Sequence, residues 1–379
     1  MRRYLLQLLI LTLVLCALVA GFNRLVDPFG RWELKRFAGL NLYKPRFTDG
    51  MQLTKPHRLR DQQPDLLLLG SSRVGEGFSC QLFAETNCYN AALPGSTLYE
   101  SAYLFRDALR FKPRIYLGLD FETALRGYQQ PPGFRPDRFP VTADGSTNWQ
   151  YPLQALRDAF SLNLALGTTL ESVQTWWQQS PQRVRPISRS LDTDGSWRVR
   201  ERTAAEIAPS QQQAFKLISA YANSIIAKAM AQGDTGIAAR LEEYFLQLEA
   251  LVDQAEAANI ELQLFINPSH ASFLDILKEK EAQSVLLEWL KGLQRLEHGR
   301  KIAPIWLFID YDRFSTTRGD NKVPNTYFND PIHFNRALGA LMVQRMHGDC
   351  DDVGPGYCLG NLDLDWYARR LDQAPGWQP

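Results

Sequence analysis

The amino terminus carries the feature that most constrains the fold, an apolar segment close to the length of a membrane span. The segment runs from residue 4 to residue 22, is interrupted only by Gln7 and Thr12, and follows Arg2 and Arg3. About 20 apolar residues are needed to cross a bilayer as a helix. Because basic residues flanking such a helix stay in the cytoplasm, the rest of the chain is directed outward. We therefore expect a single-pass membrane anchor, with the remaining chain outside the cytoplasm.

Two other interpretations of residues 1–22 stay open. One is a cleaved signal peptide, for which Val19-Ala20-Gly21 would serve as the cleavage site. The other is a buried core helix. The uncleaved anchor, with residues 4–22 in the membrane, is favoured because the apolar run exceeds a typical signal core of about 7–15 residues.

The cysteines are consistent with export. Cys80 and Cys88 are close in sequence, as are Cys350 and Cys358. Two such pairs predict two local disulfides in an oxidising compartment. Four buried free thiols are the alternative. No cysteine spacing resembles a zinc or redox site, so we expect no metal.

The charge balance argues against nucleic acid as a partner. Lys and Arg total 42, Asp and Glu total 41, and the formal net charge is +1. A nucleic-acid-binding chain would need a basic face.

Short apolar segments alternate with helical patterns along the chain. Continuous apolar runs that end near glycine are typical of strands buried in parallel sheets. The predicted strands cover residues 65–70, 87–92, 114–121, 260–266 and 305–309. The predicted helices cover residues 96–110, 238–258, 274–296 and 335–346. This alternation predicts an α/β fold with an open, mostly parallel sheet and helices on both of its faces.

The same pattern divides the chain into segments. Residues 23–64 are rich in Pro and Gly and are expected to be a linker. Residues 65–379 form the predicted α/β domain. Residues 127–236 interrupt it and are expected to be a mainly helical insertion, which forms either a lid over a cleft or a packed surface subdomain.

A serine follows the first predicted strand, in the sequence Gly70-Ser71-Ser72-Arg73. In open α/β sheets the functional groups collect beyond the carboxyl ends of the strands. A serine at the start of a helix there is placed to act as a nucleophile and to offer its N–H to developing negative charge. The alternative is that the serine only caps the helix.

A histidine lies before the last predicted helix, three residues after Asp330. A loop imidazole such as that of His333 can take a proton from serine and return it to a leaving group. Asp330 is close enough in sequence to orient it, as the acid of a Ser-His-Asp triad does. The alternative is a turn aspartate beside a surface histidine.

Taken together, these segments resemble the SGNH (GDSL-like) hydrolases, and more narrowly their membrane-anchored bacterial members associated with cell-surface polysaccharide acylation. The resemblance covers residues 65–121 and 260–346. It implies a three-layer, flavodoxin-like fold. It also implies catalytic Ser72, Asp330 and His333, and an oxyanion held by the N–H groups of Ser72 and Gly95.

One family position departs from the pattern. The family usually has Gly-x-Asn-Asp after the third strand, with the Asn side chain donating to the oxyanion, whereas this chain has Gly118-Leu119-Asp120-Phe121. An ionised carboxylate cannot donate a hydrogen bond. Asp120 is therefore either protonated, engaged elsewhere, or left out of the oxyanion hole. We expect Arg73, Asp120 and His270 to contact substrate. The alternatives are pairing with Asp120 for Arg73 and a capping role for His270.

The resemblance implies a serine acyl-ester hydrolase or O-acyltransferase that acts on O-acyl, for instance O-acetyl, groups of an envelope polysaccharide. It also implies that the anchor lies in a bacterial inner membrane, with the catalytic domain in the periplasm or extracytoplasmic space. No cofactor is expected. A membrane-embedded acyltransferase is a candidate partner. The alternatives are a catalytically weak or inactive glycan-binding or accessory protein on the same scaffold, and a plain lipase or esterase.

Overall fold

The computed structural model describes residues 1–32, 34–85, 87–179, 189–199 and 203–376. The helices in these ranges are α1 (Arg2–Val26), α2 (Phe47–Gln62), α3 (Ser72–Gly77), α4 (Leu98–Ala108), α5 (Phe121–Ala124), α6 (Tyr151–Leu164), α7 (Leu166–Gln178), α8 (Ala204–Met230), α9 (Gly233–Ala258), α10 (Ala271–Glu279), α11 (Gln283–Glu297), α12 (Arg336–Met346) and α13 (Leu364–Gln373). The strands are β1 (Leu66–Leu69), β2 (Cys88–Asn90), β3 (Arg114–Leu119), β4 (Arg189–Leu191), β5 (Trp197–Val199), β6 (Leu262–Ile266), β7 (Trp306–Leu307) and β8 (Tyr357–Cys358).

The chain divides into two compact units, each built from separate segments. The first comprises Met1–Asp61, Arg135–Thr193 and Trp197–Arg200, and the second comprises Gln62–Phe134, Asp194–Ser196 and Glu201–Pro379. The segment expected to be a linker, residues 23–64, contains α2 and belongs almost entirely to the first unit. The expected insertion, residues 127–236, is divided between the two units, and its residues 180–188 and 200–202 lie outside the described ranges.

The second unit is mixed α/β and is built on a six-stranded sheet in the order β2-β1-β3-β6-β7-β8. The pairs β1–β2, β1–β3, β3–β6 and β6–β7 are parallel, and β8 pairs antiparallel with β7. The mostly parallel sheet predicted from the sequence is therefore confirmed. Strand β8 adds an antiparallel edge that the sequence does not predict.

Burial explains why these segments form strands. Every residue of β1 and of β6 is buried, as expected for strands covered on both faces. Leu66 and Leu68 belong to one hydrophobic cluster with Val74 of α3 and with Leu338 and Met342 of α12. Helix α4 also contacts β1 and packs with α9.

Two disulfides close short loops at the two edges of the sheet. Cys80 pairs with Cys88, which begins the edge strand β2, and Cys350 pairs with Cys358, which ends the opposite edge strand β8. The two predicted local disulfides are thus confirmed.

The first unit contains α1, the apolar amino-terminal helix. It is 25 residues long, and none of its most apolar 18-residue window is buried. At about 1.5 Å per residue it reaches about 37 Å, more than the roughly 30 Å hydrocarbon core of a bilayer. Helix α1 is therefore long and apolar enough to span a membrane.

Candidate active site

The candidate site lies in the second unit, where the parallel strands end. Ser72 follows β1, Gly95 follows β2, and Asp120 follows β3 directly. Because the carboxyl ends of parallel strands meet at one edge of a sheet, these residues share that edge. His333 joins them from the loop before α12.

Glycine 70 makes the turn that presents Ser72. Its φ is +141°, and a Cβ at this position would lie 2.7 Å from Val74 Cγ2 and 3.0 Å from the carbonyl oxygen of Gly118. Only glycine fits such a turn without strain. The Oγ of Ser71 accepts a hydrogen bond from the N–H of Arg73 at 3.3 Å, so Ser71 caps α3 and Ser72 is its first residue.

Ser72, His333 and Asp330 form a continuous hydrogen-bonded chain. Ser72 Oγ lies 2.8 Å from His333 Nε2, and His333 Nδ1 lies 2.7 Å from Asp330 Oδ2. The other oxygen of Asp330 accepts the N–H groups of Ile332 and His333, both at 2.9 Å. Asp330 is thus fixed by the backbone of its own loop, and it in turn fixes the imidazole. Ser72 and His333 are 261 residues apart in the sequence, and the fold brings them within hydrogen-bond distance.

Charges around His333 control its protonation. Burial acts to lower the pKa of His333, but the carboxylates of Asp330 and Glu76 outweigh burial and raise the pKa to about 9. Burial acts to raise the pKa of Asp330, but the charge and hydrogen bond of His333 and the two loop N–H groups hold it below its ordinary value. Asp330 is therefore a carboxylate that stabilises an imidazolium, which is the role of the acid in a triad.

The N–H groups of Ser72 and Gly95 are the candidate donors to an oxyanion. Ser72 is the first residue of α3, where helical N–H groups have no partner within the helix. Gly95 has a φ of +61°, and a Cβ there would meet no atom within 4 Å among the described residues. The space beside Gly95 is therefore open among the described residues.

Asp120 does not face open space. Its side chain is buried, lies 3.3 Å from Arg73 Nε, and accepts a hydrogen bond from Asn267 Nδ2 at 2.9 Å. Arg73 is also buried; it contacts Glu122 Oε1 at 2.5 Å and donates to Ser269 Oγ at 3.2 Å. Of the three alternatives for Asp120, the structure therefore fits the second, that the carboxylate is engaged elsewhere.

This network matches the alternative stated for Arg73, a pairing with Asp120, and it replaces the expected contact of both side chains with substrate. Both side chains are only 2% exposed and face each other across the ends of β1 and β3. Burial raises the pKa of Glu122, Arg73 opposes that rise, and Asp120 adds to it. The cluster supports the turn that carries Ser72 instead of reaching the solvent.

His270 is also buried, and it caps α10. Its Nδ1 accepts the N–H of Ser272 at 3.2 Å, and its Nε2 donates to the carbonyl oxygen of Thr317 at 2.9 Å. Burial lowers its pKa. The expected substrate contact is thus replaced by the alternative stated for this residue, a structural cap. Its own N–H donates to the carbonyl oxygen of Pro331 at 2.9 Å, so it also holds the loop that carries Asp330.

The sequence does not assign roles to Glu76, Glu122 or Asn267. Glu76 lies one helical turn after Ser72, and its carboxylate accepts a hydrogen bond from Asn329 Nδ2 at 3.2 Å. Glu122 and Asn267 lie just beyond the ends of β3 and β6. Ser72 and Asp120 are predicted as site residues from the same kind of position. Location at this edge is the signal that could have identified them.

No model of a known protein family matches the chain, and no curated protein is significantly similar to it. Within the ranges described, no group of three or more His, Cys, Asp or Glu side chains is placed to hold a metal ion. The chemistry must be inferred from the site itself. A serine hydrogen-bonded to an imidazole, which is itself oriented by a carboxylate, is an arrangement suited to acyl transfer.

Proposed function

We propose that this chain is a serine acyl-ester hydrolase or O-acyltransferase of the SGNH type, acting outside the cytoplasm on acylated polysaccharide of the cell envelope. One observation carries the proposal. The hydroxyl of Ser72, the imidazole of His333 and the carboxylate of Asp330 form a chain with links of 2.8 and 2.7 Å. Both distances fall within the range of about 2.6–3.2 Å expected of a nucleophile and its base.

In this mechanism His333 moves one proton in each half of the reaction. Nε2 of His333 accepts the Ser72 proton while Oγ forms a bond to the ester carbonyl carbon. The tetrahedral oxyanion accepts hydrogen bonds from the N–H groups of Ser72 and Gly95. The bond to the leaving alkoxide then breaks, and His333 gives that alkoxide the proton.

The second half releases the acyl group. Water or a sugar hydroxyl loses a proton to His333 and attacks the acyl carbon, and the bond to Ser72 Oγ breaks. The proton returns to Ser72, so the enzyme ends as it began. The acceptor decides whether the product is a free acid or a new ester.

Strand order supports the family assignment. The five parallel strands, taken in chain order, are arranged 2-1-3-4-5 across the sheet. Flavodoxin-like folds have this order, and their ligands bind where the order reverses, beyond the ends of the first and third strands. Ser72 and Asp120 follow these two strands.

The disulfides and α1 support the proposed location. Disulfides persist in oxidising compartments, and Arg2 and Arg3 favour a cytoplasmic amino terminus for a membrane-spanning α1. The polysaccharide substrate and a membrane-embedded acyltransferase partner come from the family resemblance.

A fluorophosphonate probe tests the proposal directly, because it forms a covalent bond only with an activated serine. We expect the full-length chain to acquire one adduct on Ser72, located by peptide mass mapping. Ser72→Ala should remain unmodified and should not hydrolyse a chromogenic acetyl ester. Ser71→Ala is the matched control; it removes the neighbouring hydroxyl, which caps α3, and should still be labelled. Absence of an adduct in the wild type, or equal turnover by Ser72→Ala, would rule out the serine mechanism.

The engagement of Asp120 favours a second candidate, a catalytically weak or inactive glycan-binding or accessory protein. Loss of one oxyanion donor typically costs about 100- to 1000-fold in rate. Under this alternative the wild-type chain would bind acylated polysaccharide in a pull-down assay and show neither adduct nor turnover.

A further inference from the structure

Helices α6 and α7 of the first unit expose apolar side chains and bury polar ones, the reverse of a helix on the surface of a soluble protein. Besides Trp176 and Trp177, six large apolar side chains on them are between 45% and 73% exposed. These are Leu153, Leu156, Phe160, Leu166, Leu170 and Val173. The buried positions are mostly polar: Gln154, Asp158 and Asn163 of α6, and Thr168, Ser172 and Thr175 of α7.

The exposed apolar residues form one stripe on each helix. Leu153, Leu156 and Phe160 are spaced by three and four residues, and Leu166, Leu170 and Val173 by four and three. Such spacing places side chains on one helical face. A helix in water buries that face, whereas here both stripes face outward.

Internal contacts fix this orientation. Gln154 Nε2 donates to Asp158 Oδ1 at 2.8 Å, and the other oxygen of Asp158 lies 3.3 Å from Arg138 Nε and 3.8 Å from His57 Nε2. Rotating α6 to bury its leucines would expose this ion pair and break its contacts. The outward stripes are therefore part of the folded unit.

The same two helices are attached to the end of α1. Asn23 Nδ2 donates to the carbonyl oxygen of Asn163 at 2.8 Å and to Thr169 Oγ1 at 2.9 Å. The ring of Phe22 meets that of Trp176 edge-on, with centroids 6.4 Å apart. Side chains of α1 become partly buried from Cys16 onward, so α6 and α7 accompany about the last 15 Å of the apolar helix.

Charge and aromatic content agree with a position at a bilayer surface. Arg157 is the single exposed charged residue on α6 and α7 in the described structure, because Asp158 is buried and Glu171 is half-buried and pairs with Arg46. Trp149, Trp176 and Trp177 flank the stripes and are each at least 45% exposed. Tryptophan is enriched at membrane–water interfaces.

We propose that α6 and α7 form a hairpin that inserts its apolar stripes into the outer leaflet of the membrane spanned by α1. Lipid acyl chains are the partner, because the stripes continue the exposed apolar surface of α1 at the height where that helix leaves the bilayer. Helices with one apolar face and little charge on it bind membrane interfaces in this way. The inference uses the membrane assignment of α1 and is independent of the chemistry proposed for Ser72.

Site-directed spin labelling of the full-length chain in single-copy nanodiscs of phosphatidylethanolamine and phosphatidylglycerol tests the hairpin. In a Cys16→Ala background, Leu156→Cys and Leu170→Cys each place one label on a stripe. We expect both labels to collide several-fold more often with oxygen, which concentrates in acyl chains, than with a water-soluble nickel chelate. Ala143→Cys, in an exposed loop of the same unit, is the matched control and should show the reverse preference.

Two outcomes would overturn the proposal. Labels at 156 and 170 that meet the nickel chelate as often as the label at 143 would show that the stripes face water. Labels shielded from both reagents would show a protein-covered face. As a second measurement without cysteine variants, acyl-chain bromination should quench wild-type tryptophan fluorescence, and Trp149→Phe combined with Trp176→Phe should reduce that quenching. Unchanged quenching in this double variant would likewise contradict insertion of the hairpin.

Discussion

The imidazole of His333 lies between a hydroxyl and two carboxylates, and this position determines how the proposed reaction depends on pH. Asp330 contacts it directly, Glu76 lies nearby, and together they raise the His333 pKa to about 9 against the opposing effect of burial. Below that pH the imidazole carries a proton and cannot accept another from Ser72. We therefore expect kcat/KM for an acetyl ester to rise with pH, to be half-maximal near pH 9 and to level off above about pH 10, measured from about pH 6 to about pH 11 with spontaneous hydrolysis subtracted.

Glu76→Gln provides the control for that profile. Removing one carboxylate lowers the pKa of His333, so the rising limb should move to lower pH while the plateau remains. A profile already flat from neutral pH in the wild type, or a limb unmoved by Glu76→Gln, would contradict this electrostatic account.

Asp120 and Glu122 both pair with Arg73. The stability lost on replacing each carboxylate should therefore not be additive. Removing one partner of a buried ion pair usually costs about 3–5 kcal/mol. In Asp120→Asn, Arg73 keeps Glu122 at 2.5 Å, and loss of the neighbouring charge removes one of the influences that raise the Glu122 pKa. We expect urea denaturation to show that Asp120→Asn lowers the free energy of unfolding by less than that amount. The Asp120→Asn/Glu122→Gln double variant should lower it by more than the sum of the two single variants. Simple additivity would mean that the two carboxylates act independently.

At the residue scale, the sequence identifies candidate site residues more readily than the hydrogen-bond partners that surround them. Ser72 and His333 are recognisable because each lies next to an element boundary at the functional edge. Arg73, Asp120 and His270 lie at that edge too, but whether they face solvent depends on partners such as Asn267 and Thr317. Those partners are distant in sequence, so local patterns could not place them.

Among the elements, the turn between β1 and α3 is the one on which the site depends. Gly70→Ala would place a methyl group 2.7 Å from Val74 Cγ2 at a φ of +141°. We expect a loss of at least about 1–3 kcal/mol in the free energy of unfolding, together with reduced probe labelling of Ser72. Gly133→Ala is the comparison, because its φ is +84° but its Cβ would meet nothing within 4 Å in the described structure. Equal effects of the two changes on stability and labelling would argue against crowding at Gly70.

Elements defined by continuous burial are predicted best. β1 and β6 are buried at every position and β3 at every position after Arg114, and all three lie within one or two residues of the predicted bounds. The helix predicted over residues 274–296 instead forms α10 and α11, because Glu281 adopts a left-handed conformation with φ of 55°. β8 has only two residues, too few for any periodic pattern, and its pairing with β7 stabilises it.

For the whole molecule, the amino-terminal helix predicts a fixed topology. If α1 spans the inner membrane with Arg2 and Arg3 inside, the chain should stay in the pellet after alkaline carbonate extraction. Protease added to spheroplasts should digest the chain beyond α1, while an amino-terminal tag should be reached only after lysis. A tag digested in intact spheroplasts would reverse the orientation, and release by carbonate would argue against the anchor.

The division into two units was beyond sequence reasoning. Patterns along the chain predict consecutive blocks, here a linker, a domain and an insertion. The units are instead assembled from segments that leave one unit and return, such as residues 135–193 joining residues 1–61. Packing between distant parts of the chain decides which segments form one unit, and local periodicity does not predict that packing.

The two covalent links have a consequence for how the protein must be produced. Each one secures an outermost strand, three residues long in β2 and two in β8. Edge strands are the part of a sheet that can pair with another molecule. A chain made in a reducing cytosol would lack both disulfides. Its less constrained edge strands would then favour self-association through strand pairing, so formation of the two disulfides protects solubility as well as stability.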